Sequence, residues 1–450
     1  GNNQIASEKD YPVDFSHFNI NGRVFGARGV SDTPDQATIF NVDLGRSYGV
    51  FNTVNMAMPV ILPALIKLNW QDYFAGAAMA GVTCVIGEHA RNNEPDLTID
   101  QGQVTDFPLL EKTLNCFRRF DRGFGQIVLQ CNVDDDLVGV PKIAIKKYGV
   151  KAIEIKFGQG AKGTQPAIRV KDLETARVKQ QQGNLVHPDP SDPLVQQAYE
   201  DGVCSNFYTY GRLPLWTEAS LMDHIDMLRD LGAENIYFKM AGYDRADIEQ
   251  VIRIACQAKV DMITFDGAGG GSGYSPSKMM NEWSLPTICL EDVVVRICNR
   301  FKSEGCRLPA MVMTGGFASE DQVFKGLAYG EGHVLGIGLC RASMAAAMTA
   351  ETIGEQIKKG QVPERFKPYG STVEEIFCDL PDLRALYGTR ANGFPTGAIG
   401  VFSYLNKIAF GLRHFAALNR KFNLDLLDKS DLIPLTSDAR ALMADQWFVP

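Results

Sequence analysis

The stretch AIEIKFGQGAKG, residues 152–163, places a short apolar strand directly before a glycine-rich turn. The strand ends close to Lys156, and the turn carries Gln159 and a second lysine, Lys162. Apolar strands seldom end in a lysine, so these two side chains are either ordinary surface charges or partners of an anionic group. The rest of the chain decides between these readings.

The same pattern of an apolar run followed by an amphipathic stretch recurs from residue 50 onward, which favours parallel β/α units. Eight such runs predict an α/β fold, a (β/α)8 TIM barrel over residues 51–357, with a doubly wound open sheet as the alternative. Glycines cluster at the carboxyl ends of the runs, where barrels carry their chemistry, and this favours the barrel. The predicted strands are Thr53–Met58, Thr83–Ile86, Gln126–Asn132, Ala152–Phe157, Asn235–Met240, Met262–Asp266, Ala310–Thr314 and Val334–Ile337.

Three segments lie outside the regular alternation. We predict an N-terminal extension over 1–50 and a C-terminal helical extension over 358–450 that packs on the barrel or on a partner subunit. The connection after the fourth strand is long, so we expect an insertion over 159–219 that acts as a lid or contains its own helix.

Composition limits the class of protein. The chain has 450 residues, 45% hydrophobic and 22% charged, with a net charge of −8. This is typical of a well-packed globular protein and argues against a nucleic-acid partner. The ten scattered cysteines favour free thiols in a reducing compartment. No signal peptide or membrane-spanning run is visible, so we expect a cytoplasmic protein without a membrane partner.

Three glycine-rich loops follow predicted strands. Gly315-Gly316 and Gly336-Ile337-Gly338 each precede a helix, so they are candidates for binding a phosphate through backbone N–H groups, or else are plain turn glycines. The stretch FDGAGGGSGYSP, 265–276, is typical of a loop that wraps a phosphate or a flat ring, although a flexible linker is the alternative.

Charged residues accompany these loops. Lys156 and Lys239 each stand near a strand's carboxyl end, where a lysine can contact an anionic ligand, although a lysine extending from an edge is the alternative. The stretch IGEHAR, 86–91, supplies a carboxylate, an imidazole and a guanidinium, although a single histidine is more often structural.

Taken together, these motifs resemble the FMN-binding domain of glutamate synthase. That family carries IKxxQGAKPG after its fourth strand and DGxxGGTGAxP after its sixth, with a GG loop and a G-x-G loop after the seventh and eighth. This chain has IKFGQGAKG at 155–163, DGAGGGSGYSP at 266–276, TGG at 314–316 and GIG at 336–338. It also has IGEHAR in place of a GEGG-type loop and NMAMP, 55–59, in place of the first-strand flavin loop.

The resemblance implies an FMN-dependent oxidoreductase that transfers a hydride between flavin N5 and a small amino acid or 2-oxo acid (imine). The catalytic group implied is Lys156, Gln159 and Glu88. The implied substrate-binding residues are Arg91, Lys162, Arg169 and His89. The residues implied to bind FMN are Asn55, Met56, Lys239, Asp266, Gly267, Gly270, Gly271, Gly315, Gly316, Gly336 and Gly338.

Departures from the family pattern limit what carries over. The clustered cysteines after the eighth strand are missing, so we expect no iron–sulfur cluster and no metal site. No glutaminase segment is recognisable, so we expect that this chain does not release ammonia from glutamine. The segment after QGAK differs from the family, which leaves the substrate open.

Three hypotheses follow. The chain is a glutamate synthase-like enzyme, or an FMN enzyme of the same scaffold acting on another small metabolite, or a flavin subunit that relays electrons in a complex. We expect a small-molecule substrate, an electron-donor or partner subunit, and a homo-oligomer.

Overall fold

Eight parallel strands close into a barrel in the computed structural model, which describes residues 9–65, 69–158, 168–270, 279–391 and 393–444. The strands neighbour one another in chain order, and the eighth pairs with the first through Ile337 opposite Val60. The predicted (β/α)8 barrel is therefore confirmed. The strands are β1 (Val60–Leu65), β2 (Thr83–Ile86), β3 (Ile127–Cys131), β4 (Ala152–Lys156), β5 (Asn235–Ala241), β6 (Met262–Asp266), β7 (Ala310–Thr314) and β8 (Val334–Gly338).

A helix follows each strand and covers the outside of the barrel. Local sequence sets the helix ends: Thr217 and Ser220 form a capping box before the fourth helix, and Gly232 ends it in the left-handed conformation. The helices are α1 (Trp70–Ala80), α2 (Pro108–Arg118), α3 (Val140–Lys146), α4 (Glu218–Leu231), α5 (Arg245–Gln257), α6 (Thr287–Ser303), α7 (Glu320–Tyr329) and α8 (Arg341–Lys358).

The barrel interior changes from apolar to charged along its axis. Side chains alternate across a strand, so every second residue faces inward. Toward the amino end the inward residues include Val128, Ala152 and Met262, which belong to one buried apolar cluster. Toward the carboxyl end the buried residues include Lys156 and Lys239. Charged groups therefore concentrate at the carboxyl mouth, where barrels carry their sites.

The predicted first strand, Thr53–Met58, is wrong. Val54–Met56 instead pairs antiparallel with Arg46–Tyr48, and this hairpin closes the amino end of the barrel. The hydroxyl of Tyr48 lies 2.8 Å from Thr83 Oγ1 and 2.9 Å from the hydroxyl of Tyr237. The run 54–65 is apolar almost throughout, so its pattern could not show that it contains two strands joined through Pro59.

The insertion after β4 forms a small unit of its own. Its described part contains a three-stranded antiparallel sheet and two helices, so the expected helix is confirmed. The strands are Ile168–Val170, Leu185–His187 and Phe207–Tyr210, and the helices are Leu173–Gln181 and Pro193–Glu200.

The two terminal extensions join each other and the barrel. Strand Phe18–Ile20 pairs antiparallel with Leu432–Pro434, and the long helix Thr396–Leu418 packs against α1 and α8. The C-terminal extension therefore packs on the barrel. The remaining strands are Thr98–Asp100 and Gln103–Asp106, and the remaining α-helices are Val133–Leu137, Met279–Glu282, Val373–Ile376, Leu380–Tyr387 and Ser437–Met443. None of the helices in the described ranges is both long and apolar enough to cross a membrane.

Candidate active site

Lys156 and Glu88 form a buried ion pair at the carboxyl mouth. Lys156 ends β4, and Glu88 lies in the loop after β2. The Lys156 ammonium donates to Oε1 of Glu88, and the two side chains are only 7% and 10% exposed. The second oxygen, Oε2, accepts a hydrogen bond from Nδ2 of Asn132 at 3.0 Å. The mouth therefore holds a cation and a carboxylate in one fixed arrangement.

Lys239 lies beside Lys156 on the neighbouring strand. The two residues are register partners of β4 and β5. Lys239 is 5% exposed, and within the described part of the chain no residue forms a hydrogen bond or ion pair with its ammonium. A buried ammonium without a hydrogen-bond acceptor is costly, so this position is suited to an anionic or hydrogen-bond-accepting group.

A buried carboxyl group, Glu154, lies below the two lysines. It precedes Lys156 by two residues on β4 and so faces the same side, and Gln130 Nε2 donates to it at 2.5 Å. Burial raises the pKa of Glu154, while the charge of Lys239, the hydrogen bond from Gln130 and the charge of Lys156 oppose that rise. The carboxyl group thus offsets part of the positive charge at the mouth.

Further polar residues connect the mouth to the insertion. His89 Nε2 lies 3.1 Å from Asn132 Nδ2 and 3.3 Å from Asp134 Oδ2. Asp134 in turn binds Arg212, which follows the last strand of the insertion. Burial alone would raise the pKa of Asp134, but hydrogen bonds from His89 and Arg212 lower it to about 2. His89 therefore lies beside the Lys156–Glu88 pair as part of a structural network.

Arg91 is not placed to bind a substrate carboxylate, which corrects the prediction. Its side chain is 0% exposed, and Nε donates to Asp135 Oδ1 at 3.0 Å. Its Nη1 donates to the carbonyl of Gln182 and its Nη2 to the carbonyl of Asp134 at 3.3 Å. All three guanidinium nitrogens are therefore used inside the protein.

Several of the predicted cofactor glycines lie in closely packed surroundings. A Cβ on Gly315 would lie 3.0 Å from the backbone nitrogen of Gly267, so the loops after β6 and β7 touch through their backbones. On Gly270 it would overlap the carboxylate of Asp266, and on Gly338 it would lie 2.7 Å from Thr314 Cβ. Gly336 packs in the same way against the carbonyl of Pro59, at 3.2 Å. Close packing thus accounts for Gly315 and Gly338, whereas the contacts at Gly270 and Gly336 involve the end of a side chain and a backbone oxygen at 3.2 Å.

Gly316 is different because it combines a φ of +91° with open space around the position of a Cβ. Its neighbour Gly315 has a φ of +120°. Both values lie in a region that L side chains rarely adopt, so the turn needs glycine. The open space makes Gly316 the glycine of this group best suited to close approach by a ligand.

The two helix ends nearest these loops differ in their suitability for an anion. The start of α7 is closed by a capping box of Ser319 and Gln322 and carries two acidic residues in its first turn. The start of α8 has no side-chain cap and no acidic residue, and Arg341 is its first residue. The backbone N–H groups of a helix start and its positive dipole favour an anion at α8. Arg341 Nη2 also donates to the carbonyl of Gly269 at 3.0 Å, which links α8 to the loop after β6.

The structure places several predicted site residues elsewhere. Asn55 and Met56 lie in the hairpin at the amino end of the barrel, so they cannot bind a cofactor at the carboxyl mouth. Arg169 is exposed on a strand of the insertion, paired with Tyr208. The predictions for Gln159, Lys162 and Gly271 lie outside the described residues.

Sequence reasoning missed four polar residues around the mouth: Gln130, Asn132, Glu154 and Arg341. Gln130 and Glu154 are polar residues at inward positions of predicted strands, and a polar residue at such a position indicates a site residue. Asn132 directly follows β3, and Arg341 follows β8 after two residues, as the first residue of α8. The position after a strand would have indicated both.

Comparison with known proteins agrees with the barrel fold. Residues 214–348, which span α4, β5 to β8 and the first turns of α8, match the conserved region in glutamate synthase. The resemblance to glutamate synthase is confirmed for this region. Lys239, Gly316 and Arg341 lie within the matched region, whereas Lys156 and Glu88 precede it. No curated protein matches the chain.

Solved structures with the same architecture include two flavocytochrome b2 variants. One, with sulfite bound, has 13% identity and a TM-score of 0.50, covering 97% of this chain and 79% of that one. The other, with benzoylformate, has 12% identity and a TM-score of 0.50, covering 97% and 82%. At this level of identity the similarity supports the fold alone.

Proposed function

We propose that the chain is an FMN-dependent oxidoreductase of the glutamate synthase type, acting on a small amino acid or 2-oxo acid. The observation that carries the proposal is the buried ammonium of Lys239, which has no hydrogen-bond or ion-pair partner among the described residues and lies beside the Lys156–Glu88 pair. A flavin ring offers acceptor atoms for such a lysine. The match to the conserved region of glutamate synthase supports the same cofactor.

The residues at the mouth are suited to FMN. Lys239 would contact the flavin ring, and the start of α8 with Arg341 and Gly316 would hold the phosphate. The open space at Gly316 and the uncapped helix start support this assignment. When bound, FMN supplies the atom that gives or receives the hydride.

The chain's own residues would bind and orient the substrate. The Lys156 ammonium would bind a substrate carboxylate, because it is held in place by Glu88 and lies beside Lys239. The Glu88 carboxylate, oriented by Asn132, would hold a proton of the substrate's amino group. Both residues are mostly buried, so few water molecules compete for these contacts.

The cofactor is tested by titrating apoprotein with FMN and following the flavin fluorescence. Lys239→Ala should weaken FMN binding by about tenfold, or roughly 1.4 kcal/mol. The matched control is Lys151→Ala, at the amino end of the neighbouring strand, where the lysine is 64% exposed and pairs with Glu234. Failure of the unaltered protein to bind FMN would refute the proposal, and equal affinity in both variants would remove Lys239 from the site.

The substrate class is tested by adding candidate donors to the FMN-loaded protein without oxygen. Glutamate or a related amino acid should bleach the flavin absorbance, and Lys156→Met should abolish bleaching while FMN binding is retained. Bleaching by a 2-hydroxy acid instead would overturn the amino-acid assignment and leave the FMN assignment intact.

A further inference from the structure

A continuous chain of polar contacts runs from the insertion to the Lys156–Glu88 pair. We infer that Arg212 and Asp134 are positioning residues that couple the seating of the insertion to the orientation of Glu88 and Lys156. The inference rests on the proposed function for the role of that pair, whereas the coupling itself is a property of the protein alone.

The outer half of this series of polar contacts is centred on Asp134, which is 1% exposed. The guanidinium of Arg212 donates to Oδ1 of Asp134, and the backbone N–H of Arg212 donates to Oδ2 at 3.1 Å. The same guanidinium donates to the carbonyl of Gly183 at 3.1 Å. Gly183 lies between the helix Leu173–Gln181 and the next strand of the insertion, so Arg212 fixes two parts of the insertion to one buried carboxylate.

The inner half of this series of polar contacts passes through His89 and Asn132. His89 Nε2 is within hydrogen-bond distance of both Asp134 and Asn132, and its backbone N–H donates to Asp135 at 2.9 Å. Asn132 uses Nδ2 for Glu88 and uses its oxygen to accept from the backbone N–H of Asp135 at 3.1 Å. The amide is therefore fixed in one orientation by contacts on both sides.

The two contacts of His89 Nε2 compete, which gives the coupling a physical cause. A ring nitrogen accepts from Asn132 when it carries no proton and donates to Asp134 when it carries one. Arg212 and His89 both contact Asp134, so Arg212 takes part of the hydrogen bonding of this carboxylate and leaves His89 shared between Asp134 and Asn132. Without Arg212, the buried Asp134 charge favours a donating His89, since an unpaired buried carboxylate is costly.

This change would be passed on to the mouth. The more often His89 donates to Asp134, the less often it can accept from Asn132, so the contact from His89 that helps aim Asn132 Nδ2 at Glu88 is weakened. Glu88 then holds Lys156 less firmly. The insertion, once seated through Arg212, thus sets the geometry in which Lys156 meets a substrate carboxylate.

The coupling is tested in apoprotein with two measurements. Hydrogen exchange of peptides over 207–217 reports on the seating of the insertion, and the labelling rate of Lys156 by a small amine reagent, read by mass spectrometry, reports on the ion pair. Arg212→Ala should raise exchange over 207–210 by about tenfold and Lys156 labelling by about threefold. The matched control is Arg177→Ala, at an exposed position on the helix Leu173–Gln181 of the insertion. It should change neither the exchange nor the labelling rate.

A second variant tests the inner contacts, through His89 and Asn132, separately from the outer contacts of Arg212 and Asp134. His89→Gln should raise Lys156 labelling while leaving exchange over 207–210 unchanged, because Arg212 and Asp134 are intact. Unchanged labelling in Arg212→Ala despite faster exchange would overturn the coupling, and unchanged exchange would show that Arg212 does not seat the insertion. Neither measurement requires FMN, so failure to bind FMN would refute the proposed function and leave this inference standing.

Discussion

Asp134 and Asp136 lie two residues apart on the helix Val133–Leu137, yet their environments shift their pKa values in opposite directions. Hydrogen bonds from His89 and Arg212 outweigh burial and lower the pKa of Asp134 to about 2. Burial and the neighbouring charge of Asp135 raise the pKa of Asp136 to about 8. One carboxylate therefore stabilises the fold when ionised, and the other opposes it.

The pKa of Asp134 in the folded protein lies below the ordinary value of 3.8, and this sets how its contribution to folding stability changes with pH. Its contribution to stability is present above about pH 4 and is lost as the pH falls toward 2. Asp134→Asn should therefore lower the free energy of unfolding by roughly 2 kcal/mol at pH 6, and the deficit should shrink near pH 2. Urea denaturation of both proteins across this range measures it, and a deficit independent of pH would contradict the assignment.

The contribution of Asp136 to folding stability changes with pH in the opposite direction. Its Oδ1 has no hydrogen-bond partner in the described structure, and its Oδ2 lies 3.6 Å from Nε2 of His224. Because its folded pKa is raised, the protein loses stability as the pH rises from about 4 toward 8. Asp136→Asn should be at least about 1 kcal/mol more stable than the parent protein at pH 8 and similar to it at pH 4. Equal stability at pH 8 would show that the carboxyl group ionises freely there.

Position along a strand was the part of the site that could be predicted. Lys156, Glu88 and Lys239 follow or end recognisable strands, so their placement at the mouth was readable. The hydrogen-bond partners of these residues could not be predicted, because Asn132 and Glu88, for example, are 44 residues apart in the sequence. Arg91 was assigned to the substrate for the same reason: the sequence shows its charge and not the Asp135 and Gln182 groups that bind it.

At the scale of elements, Arg91 connects three segments: the loop after β2, the helix Val133–Leu137 and the end of the insertion helix. Arg91→Ala should lower the free energy of unfolding by about 3–5 kcal/mol, since it leaves Asp135 buried without its partner. Arg177→Ala, an exposed position on the insertion helix, should stay within about 0.5 kcal/mol of the parent protein. A folded, equally stable Arg91→Ala protein with a raised KM would restore Arg91 to the substrate site.

Strand prediction succeeded wherever an apolar run was bounded by polar or glycine residues. Thr83–Ile86, Met262–Asp266 and Ala310–Thr314 agree with the structure residue for residue. The first strand failed because the apolar run from Val54 to Leu65 contains a hairpin strand and β1 without a polar boundary. Both segments fit a pleated, buried surface, so only the tertiary structure distinguishes them.

At the scale of the whole molecule, the segments predicted as separate extensions form one layer on the barrel. Strand Phe18–Ile20 pairs with Leu432–Pro434, and the backbone N–H of Asn21 donates to the carbonyl of Asp431 at 2.8 Å. Strands of three residues carry too little pattern to be recognised. Their pairing across more than 400 residues of sequence depends on tertiary packing, which the sequence alone did not reveal.

Asp431 connects this layer and provides a test of its cooperativity with the barrel. The side chain is 0% exposed and accepts from Lys421 Nζ at 2.5 Å, from Asn419 Nδ2 at 3.0 Å and from the backbone N–H of Asp428 at 2.9 Å. Asp431→Ala leaves the Lys421 ammonium, which is 1% exposed, with the exposed Asp428 at 2.9 Å as its ion-pair partner. The free energy of unfolding should therefore fall by about 3 kcal/mol, because the buried half of the pairing and the bond from Asn419 are lost.

The loss should appear in a single transition, because the helix Thr396–Leu418 packs on α1 and α8 and thereby joins the layer to the barrel wall. Far-UV circular dichroism follows all helices, and tryptophan fluorescence includes Trp70 at the start of α1, so the two denaturation curves should coincide and shift together. The exposed Arg440 provides the control: Arg440→Ala should stay within about 0.5 kcal/mol. Two separate transitions in Asp431→Ala, with the fluorescence curve unshifted, would mean that the barrel folds without its terminal layer.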